Sequence, residues 1–145
     1  MLRRKEIAGW DSMITVKSIY DRKEARYARG FLIERSWPRG RKGARPRFEG
    51  WLKDIAPSAG LSAWFEQNHD KWREFCRRYF TELDTRPEAW RLLLEEASHS
   101  TVELLHSSHY GTHNNAAALK EYLDAKLGQR VPLPGSDSKP FINLT

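Results

Sequence analysis

Phe31-Leu32-Ile33 is an unbroken apolar run, and Arg35, Ser36, Trp37, Pro38, Arg39 and Gly40 follow almost at once. A strand with no polar alternation must be covered on both faces, which is how strands of parallel sheets in α/β domains are built. Pro38 has a fixed φ and no N–H for a ladder, so it should stop the strand and hold Trp37 and Arg39 in a turn. The strand therefore delivers two arginines and a tryptophan to its C-terminal end. We take that end as the candidate site.

Around this strand the chain reads as one α/β domain: a short, mainly parallel three-stranded sheet flanked by helices. Met13–Tyr20 is rich in β-branched residues and predicts the first strand, Gly30–Arg35 the second, and Thr101–Leu105, running into His106, the third. The polar stretch 21–29 between the first two is short for a crossover helix, so a parallel pair there needs a clipped connection. Residues 48–55 read as a short helix ended by Pro57, and Ser58 is a cap for a helix bearing Leu61, Trp64 and Phe65 on one face. Trp72, Phe75, Cys76, Tyr79, Phe80 and Leu83 form one helical stripe, which makes Cys76 a buried small hydrophobe rather than a nucleophile. Thr85-Arg86-Pro87-Glu88 matches a capping box ahead of Ala89, Trp90, Leu93, Leu94 and Ala97. Asn114–Leu127 predicts the last helix, with Ala116, Leu119 and Leu123 inward and Gly128 just past its end. We expect an N-terminal extension over residues 1–12, the domain over 13–127 and a Pro/Gly/Ser-containing tail over 128–145.

A chain of 145 residues is long enough to bury a core without disulfides or a structural metal. The mean hydropathy is −0.74, and no apolar run approaches the ~20 residues that a membrane span requires. Met1-Leu2-Arg3-Arg4-Lys5 is basic like the start of a signal peptide, but Glu6, Trp10 and Asp11 interrupt the apolar segment that would have to follow. With one cysteine, Cys76, no internal disulfide forms. We expect a cytoplasmic protein with no cofactor.

Net charge is +6, with a pI near 9.6. The excess is local: Arg35, Arg39, Arg41, Lys42, Arg45 and Arg47 fall between residues 35 and 47, whereas the later helices mix both signs. That density attracts phosphates, on nucleic acid or on a small metabolite, and it also reads as a solvated basic loop. In a parallel sheet the second and third strands end on one edge, where open α/β sheets bind ligands and helix N-termini point their free N–H groups. The first reading is an anionic ligand, phosphate- or nucleotide-like, bound as a guest or as a substrate. Arg35 and Arg39 would clamp it, Trp37 would wall it, Asn114 would hydrogen-bond it, and His113 or His106 would move protons. The other reading is a nucleic-acid or protein-interaction module using Arg41, Lys42, Arg45 and Arg47, with Trp37 as a stacking ring or interface anchor. His106, His109 and His113 suggest a metal by spacing alone, but their loop holds no carboxylate or cysteine, so we predict no metal site. Glu34 reads as a strand-end acid that pairs with or orients Arg35, or as a base.

Glu34-Arg35-Ser36-Trp37-Pro38-Arg39-Gly40, Trp51-Leu52-Lys53-Asp54-Ile55-Ala56-Pro57-Ser58 and His113-Asn114-Asn115-Ala116, taken together, resemble the YeaO-like family of small bacterial proteins, domain of unknown function 488. The resemblance covers about Met13 to Leu127. It implies a compact α/β domain with a short parallel sheet and no established activity. The family's usual acid before the arginine is Asp, here Glu34. Its third strand typically runs into Tyr-Ala-Ala-Lys/Arg-Asp, where this chain has His106, Ser107, Ser108, His109 and Tyr110. More distant members are similar but carry a cysteine at that strand end and Cys-His-Arg at the helix start. Here His106 and Thr112-His113-Asn114 stand in those places, so the resemblance implies no thiol chemistry there.

Overall fold

The structure is a computed structural model, and it describes residues 13–20, 28–36, 49–108 and 111–130. Its strands are β1 (Ile14–Ser18), β2 (Ala28–Leu32), β3 (Gly50–Trp51) and β4 (Thr101–His106). Its helices are a 3-10 turn (Lys53–Ile55), α1 (Ala59–Glu66), α2 (Trp72–Asp84), α3 (Pro87–Ala97) and α4 (Asn115–Arg130). The sheet order is β1-β4-β2-β3, and every pairing is parallel. The expected short parallel sheet is present, with a fourth strand at its edge.

The order of burial explains the order of strands. Val102, Leu104 and Leu105 have no exposure at all, so β4 takes the centre, between β1 and β2. Alternate residues then split between the two faces. Phe31, Ile33, Val102 and Leu104 join Ile14 in the main core, to which all four helices contribute, while Leu32 and Leu105 pack with Ile19 on the opposite face. β4 thus separates β1 from β2, so the first two strands of the chain are not neighbours in the sheet.

The α2 stripe is buried as its period predicts: Phe75, Cys76, Tyr79 and Leu83 face inward, and Phe65 of α1 stacks on Phe75 with centroids 4.4 Å apart. Fully burying side chains of this size stabilises by ~1.5–3 kcal/mol each.

Several local expectations are corrected. Residues 48–55 do not form a helix: Gly50–Trp51 pairs with Phe31 and Leu32 as β3, and only Lys53–Ile55 turns helically. Gly50 fits there because an added Cβ would stand 3.3 Å from the Phe31 ring, tighter than ordinary contact. Strand β2 lies about two residues earlier than predicted, ending at Leu32, although Ile33 N still donates to Leu105 O at 3.1 Å. The capping box does not form. Thr85 instead closes α2, its Oγ1 donating to Glu82 O, and Arg86 is left as the N-cap of α3 with Pro87 in its first turn. Gly128 does not end the last helix, which continues to Arg130. Ser58 does cap α1, accepting from Leu61 N at 3.1 Å.

Candidate functional site

Parallel pairing of Leu32 with Leu105 brings the ends of β2 and β4 to one edge. Just past the ladder a side chain takes over: Ser107 N donates to Glu34 Oε2 at 2.8 Å. Glu34 therefore does not pair with Arg35 but staples two segments 73 residues apart. Burial lifts its carboxyl above the ordinary value, and hydrogen bonds from the Ser107 backbone and side chain pull it part of the way back. Its main-chain oxygen accepts from Trp51 Nε1 at 2.7 Å, which ties β3 to the same corner.

Arg35 is exposed, and its Nη2 donates to Pro57 O at 3.0 Å. The loop holding that carbonyl is fixed at several points. Tyr79 Oη donates to Ile55 O at 2.6 Å and Arg86 Nη1 to Asp54 O at 2.7 Å. Glu82 accepts from Ser58 N at 2.9 Å and from Ser58 Oγ at 2.6 Å. Arg35 is thus positioned by a rigid loop through a neutral acceptor, and among the described residues its guanidinium meets no carboxylate.

His106 is buried at the end of β4, 6% exposed, and its Nδ1 accepts from Ser108 N at 3.1 Å. That bond places the proton of the neutral ring on Nε2. Asn114 is also buried. Its Oδ1 accepts from Ala117 N at 2.9 Å and its Nδ2 donates to Gly111 O, so it caps α4 and both ends of its amide are engaged locally. Gly111 has φ +65°, which an L side chain would adopt only with strain, and this lets the loop turn into the cap. His113 is exposed and lies flat on Trp72, with centroids 4.5 Å apart and planes 3° from parallel.

The edge therefore brings together Glu34, Arg35, His106 and Ser107, while His113 and Asn114 form a second cluster where α4 begins. Trp37, Arg39, Arg41, Lys42, Arg45, Arg47 and His109 lie outside the described residues. Among the described residues, no three His, Cys, Asp or Glu side chains are placed to hold a metal ion, and no helix is long and apolar enough to cross a membrane. Cys76 is buried, and desolvation pushes its thiol up to about 11, away from nucleophilic chemistry. Sequence reasoning missed the acceptor roles of Glu34 and Glu82 and the ring partner of His113. No local pattern signals them, because each contact joins separate elements.

A small parallel α/β domain with an arginine-bearing C-terminal edge is the class that these features define. The family described as "Inactive DUF488-N3 subclade" matches residues 13–142, and the chain belongs to it. It is 30% identical over 110 residues to the uncharacterized protein YeaO of Escherichia coli K12, covering 76% of this chain and 96% of that one. It is 26% identical over 116 residues to an uncharacterized protein of Mycobacterium tuberculosis H37Rv, covering 80% of this chain and 98% of the relative, and equally so to one of Mycobacterium bovis. No solved structure matches.

Proposed function

We propose that the chain is a cytoplasmic protein that binds a small phosphate-bearing anion at the C-terminal edge of the sheet, with Arg35 as the anchor. The observation that carries this reading is the exposed guanidinium of Arg35, held by the neutral Pro57 carbonyl and compensated by no carboxylate among the described residues. A guanidinium oriented in advance loses little freedom when it grips a phosphate, and its remaining N–H groups suit a bidentate contact. Trp37 and Arg39, close behind in sequence, would complete the clamp.

Two features favour binding over catalysis. The family description carries the word inactive. His106, one of the two candidates for proton transfer beside His113, and Asn114, the candidate hydrogen-bonding partner, have polar atoms engaged with neighbouring backbone. His106 and Asn114 then shape the edge rather than touch the guest. The polyanion reading through Arg41, Lys42, Arg45 and Arg47 draws no support from a described residue.

A thermal-shift screen of phosphate, pyrophosphate and phosphorylated metabolites tests the proposal. A ligand at a hundred times its Kd stabilises by ~2.7 kcal/mol, which raises Tm on the order of 10 °C for a domain of this size. The shift should vanish in Arg35→Ala. A screen in which no anion stabilises the wild type more than that variant refutes it.

A further inference from the structure

The hydrogen bond that orients Arg35 ends on one half of a peptide group whose other half is held by an acid. The carbonyl of Pro57 receives Arg35 Nη2 at 3.0 Å, and the N–H of the same peptide, that of Ser58, donates to Glu82 Oε1 at 2.9 Å. This peptide is trans, so its carbonyl and its N–H point in opposite directions within one plane. Glu82 and Arg35 therefore hold the two ends of a single planar group, and whatever fixes the N–H end also aims the carbonyl.

Glu82 is well placed to fix that end. Its Oε2 accepts from Ser58 Oγ at 2.6 Å, so both carboxylate oxygens are spent on one residue. It stands one helical turn after Tyr79 on α2, on the face from which Tyr79 Oη holds Ile55 O at 2.6 Å in the same loop. The polar groups of Ser58 do separate jobs: its hydroxyl caps α1 through Leu61 N at 3.1 Å, whereas its N–H goes to Glu82. Without Glu82 that N–H loses its acceptor, and the plane can tip about Pro57 ψ and Ser58 φ and carry the carbonyl away from Arg35. A peptide whose N–H donates to a carboxylate is also a stronger acceptor at its oxygen, because linked hydrogen bonds polarise one another.

We infer that Glu82 is a positioning residue of the anion site: it aims the Pro57 carbonyl, and through that peptide it holds the exposed guanidinium of Arg35 in its binding orientation without touching the ligand. The consequence for affinity rests on the anion reading above, whereas the ordering of Arg35 is measurable with no ligand present.

The order parameter of the Arg35 Nε–H bond, read by nitrogen relaxation and assigned by its disappearance in Arg35→Ala, tests this directly. In the wild type Arg35 should be more ordered than Arg91, which is exposed on α3. Glu82→Ala should lower Arg35 to the level of Arg91, and Glu82→Gln, which keeps a carbonyl acceptor for the Ser58 N–H, should restore most of its order. Ser58→Ala loses the α1 cap but keeps the N–H, so it should destabilise the protein and leave Arg35 ordered, a separation that a merely structural role of Glu82 would not produce. Ser58→Pro removes the N–H as well. Ser58 has φ −60°, which proline adopts, so Ser58→Pro should loosen Arg35 where Ser58→Ala does not, and this contrast decides the matter if Glu82→Ala fails to fold. Pyrophosphate binding, measured by calorimetry, should weaken roughly two- to tenfold in Glu82→Ala, the scale of reordering one long side chain, and should return in Glu82→Gln. Arg35 as mobile as Arg91 in the wild type, or as ordered in Glu82→Ala as in the wild type, overturns the positioning role. So does an Arg35 that Ser58→Ala loosens as much as Glu82→Ala. An Arg35 loosened by Glu82→Ala with pyrophosphate affinity unchanged overturns the part of Glu82 in binding and leaves the anion reading standing. If no anion binds the wild type, the anion reading falls, while an Arg35 that loses its order in Glu82→Ala still upholds the role of Glu82 in holding it.

Discussion

Replacing Glu34 tests whether the edge is held by a charge or by a hydrogen-bond acceptor. Glu34 Oε2 takes the Ser107 N–H at 2.8 Å where the β2–β4 ladder has run out, and both residues are half-buried. In Glu34→Ala the Ser107 N–H loses its acceptor, and an unsatisfied donor in such a place costs ~1–3 kcal/mol. Glu34→Gln keeps a carbonyl acceptor of the same reach and removes the ionised form that burial penalises. Gln should therefore lie within about 1 kcal/mol of wild type at pH 7, with Ala clearly worse. The pH dependence has a definite sign. Burial raises the native carboxyl above its ordinary value of 4.5, so the folded state holds this proton more tightly than the unfolded chain does. The group's stabilising contribution is complete below 4.5 and is lost as pH rises through the native value. Wild type should accordingly gain on Glu34→Gln when pH is lowered from 7 to about 4.5, since Gln does not titrate. Urea unfolding of all three proteins at both pH values measures this, and other titrating groups cancel in the wild-type-minus-Gln difference. Gln as damaging as Ala at pH 7, or a wild-type-minus-Gln gap that moves the other way on acidification, would refute the reasoning.

Ser58→Ala should cost ~1–2 kcal/mol in urea unfolding, since Ser58 Oγ both caps α1 through Leu61 N and donates to Glu82 Oε2. Tyr79→Phe should cost about 1–2 kcal/mol by stranding the Ile55 carbonyl, and should weaken anion binding less than Arg35→Ala, because the loop retains its Arg86 and Glu82 contacts. Cys76 should react with a thiol reagent only on unfolding, given its burial and a thiol pushed up to about 11. Rapid labelling of the native protein at pH 8 would contradict that.

What could be read from the chain alone followed from repetition. The α2 stripe repeats over three turns, so Phe75, Cys76, Tyr79 and Leu83 announce their burial whatever packs against them. The unbroken Phe31-Leu32-Ile33 run signals cover on both faces, and the two core clusters divide those residues accordingly. Features decided by a single residue pair were not legible. A two-residue strand such as Gly50–Trp51 has no period, and its neighbours Leu52 and Ile55 suit a helix equally well. Thr85 has the chemistry for either end of a helix, and the turn between α2 and α3 is short enough that it closes the first rather than opening the second. At the site, the location of Arg35 at a strand end followed from Pro38 and the apolar run. Its anchor at Pro57 and the turning of Glu34 toward Ser107 depend on long-range contacts that no local window contains.

The two neighbouring side chains at the end of β2 divide the work of the edge between them. Had Glu34 paired with Arg35, as adjacent opposite charges suggest, the guanidinium would be neutralised and the edge would offer little to an anion. The fold prevents this by giving each a different partner: Ser107 takes the acid, and the Pro57 carbonyl takes the base. The staple that closes the β2–β4 corner thereby leaves the positive charge beside it available. Glu34→Gln should consequently preserve or strengthen anion affinity, whereas a carboxylate that served as base or metal ligand would lose function with the same change.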